Sequence, residues 1–274
     1  MKRILTVIAA SLLAWVTASF AQTPQAEKPI INPPPTAKDW ADLAKLPDWS
    51  GVWNPNISDQ DAQHVKNPPP WNAKAAARIK FQQAELRAGR PTPLFVNCLP
   101  EAHPSWMMVS HNALEFLFTP GRVTMLGESD GNRLRRIYTD GRGHPADPDP
   151  TFHGHSIGKW DGDALVIDTI GIVPQAFIAS SEAHGIPNNG DMRVVERIRV
   201  EKDTMYVHMK ITAPHVLTKE FETTRIYFRQ RARKFDIVEG VCLEGYFRPA
   251  IDKDGYHVYL PQPHDVGGNR VPPE

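Results

Sequence analysis

Two neighbouring stretches gather side chains that catalysts use. The first is Arg135-Arg136-Ile137-Tyr138-Thr139-Asp140-Gly141-Arg142-Gly143-His144-Pro145, and the second is Phe152-His153-Gly154-His155. Glycines and turn residues alternate with the arginine, tyrosine, aspartate and histidine. That places the polar groups at strand ends and on the connecting loop, where a sheet holds functional groups rigidly. His155 carries the ring whose charge changes nearest neutrality and suits proton transfer. Tyr138 is suited to bind a developing oxyanion, although a half-buried core tyrosine is the competing reading. Whichever face of Arg133–Tyr138 turns inward, an arginine, Arg135 or Arg136, goes with it and can clamp a carboxylate. Asp140 and His144 share a tight loop, with Asp140 placed to orient His144 or to cap the turn. On a strand, His153 and His155 would share a face, the arrangement of two metal ligands. If His153 lies in the loop, the pair breaks up.

A further carboxylate stands out downstream. Alternation along Met192–Val200 puts Met192, Val194, Ile198 and Val200 on one face, and Glu196 falls among them. Burial there predicts a raised pKa, the tuning a general acid or base needs. A structural ion pair with Arg135 or Arg136 is the alternative. Asp168, inside an apolar run, also requires a partner, and an arginine is expected. Val173–Asn189 is too long for a hairpin turn. It reads as a lid over a site, with His184 on it.

These groups need a scaffold, and the periodicity supplies one. Period-2 runs at 114–119, 122–128, 133–139, 155–160, 164–172, 192–201, 205–212, 220–229 and 235–239 are separated by turn residues, including Ser129–Asn132 and Asp161–Asp163. The predicted fold is mainly β: an antiparallel barrel or strongly curved meander, closed to remove its edges, with one peripheral helix. That helix is expected over Ala73–Ala88, with Asn72 as N-cap and Gly89 just beyond its end. Its thin apolar face is Ala75, Ile79 and Leu86, with Phe81 and Ala84 nearby. Gln22–Pro47 is polar and proline-rich and reads as a loose arm. Residues 48–274 read as one domain, divided into a Trp-containing start with the helix (48–105) and a β body (106–274).

Met1-Lys2-Arg3 followed by an apolar run and Ser19-Phe20-Ala21 reads as a cleavable signal peptide spanning 1–21, cut after Ala21. The expected location is periplasmic or secreted, with no membrane attachment after cleavage. Cys98 and Cys242 are the only cysteines. In an oxidising compartment an isolated pair is expected to form a disulfide. Net charge is zero. No basic block or aromatic–basic interleaving suggests nucleic acid.

Trp49-Ser50-Gly51-Val52-Trp53 resembles the Gly-x-Trp opening of lipocalin-like (calycin) barrels. Together with Asn97-Cys98-Leu99-Pro100, Arg136–Pro145 and Gly158-Lys159-Trp160-Asp161-Gly162-Asp163-Ala164-Leu165-Val166-Ile167-Asp168-Thr169, it is similar to a group of exported bacterial proteins of unassigned function. The lipocalin-like resemblance implies a barrel that carries an apolar ligand or runs cofactor-free isomerase, hydratase or cyclase chemistry.

No Gly-x-Ser-x-Gly, His-Glu-x-x-His, P-loop or Gly-x-Gly-x-x-Gly pattern is present, which argues against serine hydrolase and nucleotide chemistry. The leading expectation is an exported, cofactor-free barrel enzyme of lyase, isomerase or hydratase type, acting on a small, partly apolar, aromatic or oxygenated compound. Glu196 and His155 would be its acid and base, and Tyr138 and Arg136 would bind negative charge. Asp140, His144, His184 and Arg135 would contact substrate. The alternative is a non-catalytic small-molecule binding protein. The third reading is a metal-dependent enzyme using His153 and His155.

Overall fold

The alternating runs fold into strands that close on themselves. The computed structural model describes residues 32–90, 94, 100–109, 111, 113–128, 133–181, 183–239, 247–255 and 257–261. The segment read as a signal peptide, the first part of the arm, Cys98, Cys242 and the stretch 129–132 expected to turn lie outside the described residues. Residues Pro35–Glu274 form one unit, separate from Met1–Pro34.

The strands are β1 (Val52–Pro55), β2 (Leu114–Thr119), β3 (Arg122–Gly127), β4 (Leu134–Tyr138), β5 (His155–Asp161), β6 (Ala164–Ile170), β7 (Phe177–Ser181), β8 (His184–Pro187), β9 (Arg193–Glu201), β10 (Thr204–Thr212), β11 (Phe221–Gln230), β12 (Phe247–Ile251) and β13 (His257–Pro261). Nine of them make a closed barrel in the order β1-β11-β10-β9-β6-β5-β4-β3-β2. Every neighbouring pair is antiparallel except β4–β5, which is parallel because the long 139–154 loop carries the chain back across one barrel end. Closure leaves the barrel no unpaired edge. The expected strand at 235–239 does not form.

The Gly-x-Trp opening makes the closing strand. β1 pairs with both β2 and β11. Trp53 is fully buried, its Nε1–H donates to the Trp49 carbonyl at 3.0 Å, and the Arg229 guanidinium lies 4.4 Å over its ring. Arg229 also donates to the carbonyls of Asp48, Ser50 and Lys202, so one side chain ties the entry of β1 to the β11 side.

Helices are more numerous than the sequence suggested. The expected one is α3 (Ala73–Arg87), capped by Asn72, with Gly89 at φ +73°. Its buried positions are Ala75, Ile79 and Gln82, while Phe81 and Leu86 are exposed. The Gln82 amide replaces the expected apolar contact. It donates to and accepts from the Gly185 backbone, and so pins the helix to β8. The three others are α1 (Ala37–Leu43), α2 (Ile57–Lys66) and α4 (Ser105–Met108). α1 falls within the segment read as a loose arm, where Thr36 and Asp39 form a capping box that starts it.

α4 is the interior plug. All four of its residues are buried. Tyr227 Oη–H donates to the Met107 carbonyl and Arg225 Nε–H to the Met108 carbonyl, each at 3.1 Å. Trp106 sits over Gly127, where any Cβ would come within 2.7 Å of the indole. The β7–β8 hairpin occupies the segment read as a lid. It is clasped, because Ser105 Oγ donates to the Phe177 carbonyl and accepts from the Ala179 N–H.

Candidate functional site

The strand pleat sorts the candidate residues into an inner and an outer group. On β4, Arg135 and Ile137 are buried, while Leu134 and Arg136 are exposed. On β5, Ser156 points in and His155 out. On β9, Val194, Glu196 and Ile198 point in. The set expected to converge around Glu196 is therefore split between the two faces.

The inner group is Glu196, Arg135, Ser156, Thr169, Met125 and His103. Glu196 is 0 % and Arg135 1 % exposed. Arg135 Nη1–H and Nη2–H donate to the two Glu196 oxygens at 3.1 and 2.5 Å. Its remaining N–H groups reach Ser156 Oγ at 3.1 Å, Thr169 Oγ1 at 2.8 Å and Met125 Sδ at 3.8 Å. A guanidinium has five N–H donors, and all five are engaged by the protein. His103, on the segment leading into α4, completes the group. Trp106 Nε1–H can only donate, and it lies 3.4 Å from His103 Nδ1. The His103 proton therefore sits on Nε2, which faces Glu196 Oε2 at 3.3 Å.

The electrostatics correct the expectation of a raised Glu196 pKa. Burial pushes this carboxyl up, but Arg135 and then His103 outweigh it and hold it well below the usual carboxylate range. His103 is kept neutral by burial, with the Arg135 charge adding to it. An ionised, fully paired carboxylate is a poor general acid or base. Arg136 takes no part, because it is exposed on the outer face. His103 was invisible in the sequence. It sits in a proline-flanked stretch with no strand alternation to assign it a face.

The outer group is Tyr138, Asp140, Arg142, His144, His155, Asp168 and Arg193. His144 Nδ1 and His155 Nδ1 are 2.9 Å apart. His144 Nε2 lies 3.5 Å from Asp168 Oδ2, and Arg193 donates two hydrogen bonds to the same carboxylate at 2.8 and 2.7 Å. Hydrogen bonds from Arg193 lower the Asp168 pKa. The Tyr138 ring stacks on His155, with Arg142 4.1 Å over the tyrosine. Asp140 orients Arg142 rather than His144. Burial, then the neighbouring His144 and Arg142, lower the His155 pKa. His184 joins neither group: it bonds Ser181 on the clasped hairpin.

His153 and His155 do not share a face, which removes the expected ligand pair. Gly154 between them adopts φ +65°, and a Cβ there would lie 2.6 Å from the Ile170 carbonyl oxygen. The backbone turns at this point and sends His153 against Trp106, ring centroids 4.8 Å apart. Gly154→Ala should destabilise the fold by about 1–3 kcal/mol, read from urea unfolding. An unchanged midpoint would show that the turn is not required.

A third group, unseen in the sequence, lies where α2 packs on β11. Gln60 is 1 % exposed, yet neither its amide oxygen nor its nitrogen has a hydrogen-bond partner among the described residues. One turn on, His64 Nε2 is buried and, like Asp59 Oδ2, has no hydrogen-bond partner among them. Arg225 faces this group from β11 and interacts electrostatically with Asp59 and His64. Its Nε and Nη1 bond Met108, Thr223 and Thr224, and no carboxylate lies within ion-pair distance among the described residues. Burial lowers the pKa of both Arg225 and His64. The signal in the sequence was a glutamine and a histidine four apart on one helix face.

Among known proteins, no family model matches this chain and no curated protein matches it. Solved structures give distant likenesses. REP1-NXSQ fatty acid transporter is 14 % identical with a TM-score of 0.31, over 70 % of this chain and 99 % of that one. A mutant of the fluorescent protein UnaG is 12 % identical with a TM-score of 0.29, over 66 % of this chain and 95 % of that one.

Proposed function

We propose that the protein is an exported small-molecule-binding barrel, without catalytic turnover at Glu196, and that it holds a small organic acid between α2, β11 and the α4 plug. The observation that carries this reading is Gln60, buried with both amide atoms unpartnered among the described residues, on the helix whose neighbouring Asp59 and His64 interact electrostatically with Arg225. Burying an unpartnered polar group costs about 1–3 kcal/mol. Such a cost persists where the groups serve a ligand. Arg225 would take the carboxylate. Gln60, able both to donate and to accept, would take a hydroxyl or second oxygen. Met107 and Met108 on the adjacent plug would supply apolar, adaptable contacts. Saturation of Arg135 supports the same conclusion from the other side, since it leaves no guanidinium N–H of Arg135 for a substrate.

The test is Gln60→Leu. Leucine has a similar volume and no polar atoms, so the variant should be about 1–3 kcal/mol more stable without ligand. It should also lose the rise in melting temperature that an organic acid such as 4-hydroxybenzoate gives the parent protein. A variant that is destabilised and still shifts with the acid would overturn the proposal.

A further inference from the structure

The outer group stands apart from the α2 site. We propose that His144 and His155 form a two-histidine site for a divalent transition-metal ion of the copper, nickel and zinc class on the outer face of the barrel. The two Nδ1 atoms point at each other across 2.9 Å from different elements, the 139–154 loop and the start of β5. Metal–imidazole bonds are about 2.0–2.1 Å, which puts two nitrogens of a tetrahedral site roughly 3.3 Å apart. To admit an ion the rings need to separate by about 0.4 Å and to tilt so that both Nδ1 lone pairs converge on it.

What stands behind the pair supports the assignment. A ligating histidine characteristically donates its other N–H to a carboxylate, which fixes its tautomer and raises its basicity. Asp168 Oδ2 lies 3.5 Å from His144 Nε2, within reach of that role once the rings adjust to an ion, and Arg193 holds the carboxylate in place. With Nε2–H turned to Asp168, His144 Nδ1 presents a lone pair. The stacked Tyr138 ring fixes the plane of His155. The Asp140–Arg142 ion pair braces the loop that delivers His144.

The number of protein ligands defines the kind of site. No group of three or more His, Cys, Asp or Glu residues is arranged to hold a metal among the described residues. Two imidazoles therefore leave positions for water or an exchangeable oxygen ligand. By the general order of divalent affinities, copper should bind tightest.

Isothermal titration of the untagged protein with CuCl2, NiCl2 and ZnCl2 tests the proposal. The expected result is one ion per chain, with Cu(II) tightest. Binding should be lost in His144→Ala and in His155→Ala, and weakened about 10–100-fold in Asp168→Asn. Copper bound to the parent protein should show nitrogen coupling from two imidazoles by electron paramagnetic resonance. Melting curves establish that each variant is folded, and His144→Gln replaces any alanine variant that is not. Absence of binding to the parent protein would overturn the proposal and leave the pair as a shared-proton hydrogen bond. So would binding that survives in both folded histidine variants. The result is independent of the α2 site, whose ligand is an organic acid and whose residues are on other elements.

Discussion

Glu196→Gln should lower the melting temperature by roughly 6–20 °C. The side chain keeps its shape but loses its charge, and the Arg135 guanidinium is left buried and unpaired. Breaking a buried pair from one side costs about 3–5 kcal/mol. For a domain of this size each kcal/mol moves the midpoint by about 2–4 °C. The cost is large because the pair joins four consecutive barrel strands: Arg135 on β4, Ser156 on β5, Thr169 on β6 and Glu196 on β9. Replacing both partners by apolar residues, as in Arg135→Met with Glu196→Leu, should recover much of the loss, because neither charge is then stranded. Thermal unfolding of the three proteins at pH 7.5 checks this. A Glu196→Gln protein as stable as the parent would show that the pair does not hold the barrel.

Mild acid should weaken the fold before the carboxylates titrate, and His153 should account for much of the effect. Its ring is held neutral chiefly by burial, with the nearby Arg135 and Arg133 charges adding to it, and its pKa is pushed down from 6.5 to about 3. Neither ring nitrogen has a hydrogen-bond partner among the described residues. Between those two values the unfolded chain binds a proton that the folded chain refuses. Stability is therefore full above about pH 6.5 and is lost as the pH falls toward 3, at up to about 1.4 kcal/mol per pH unit from this residue. Glu196 adds to the loss at lower pH. Its folded pKa is also depressed, so its contribution is present above the usual carboxylate range and disappears below it. His153→Phe keeps the contact with Trp106 and removes the titration. Between pH 6 and 4 it should lose about 2–3 kcal/mol less than the parent protein does, from urea unfolding at each pH. Parallel stability curves for the two proteins would contradict this.

The barrel was legible because its signal is redundant. Eight of the nine expected strands form close to their expected limits, since alternation sets each face and a turn residue marks each end. Glu196 could be placed inside by the same alternation, and an arginine partner followed from the cost of burying its charge. Alternation alone could not decide between Arg135 and Arg136, because each face of β4 carries an arginine. Packing against Ser156, Thr169 and Met125 decides it. The direction of the Glu196 pKa was missed for the same reason: burial raises it, and the packed partners, Arg135 first and then His103, reverse the sign. Tyr138, His144 and His155 do converge, on the outer face, because His155 lies one residue from the inward Ser156. The α4 plug and the Gln60 group escaped notice. Both depend on contacts between segments distant in sequence, and neither has a period of its own.

The central claim is that the inner charges are structural and that binding occurs at α2 and β11. Calorimetric titration of the parent protein, Gln60→Leu, Arg225→Met and Glu196→Gln with 4-hydroxybenzoate tests it most directly, at a temperature where all four are folded. One molecule should bind per chain in the parent and in Glu196→Gln, and binding should be lost in Gln60→Leu and Arg225→Met. Binding abolished by Glu196→Gln but retained by Gln60→Leu would contradict it and return the site to the barrel centre.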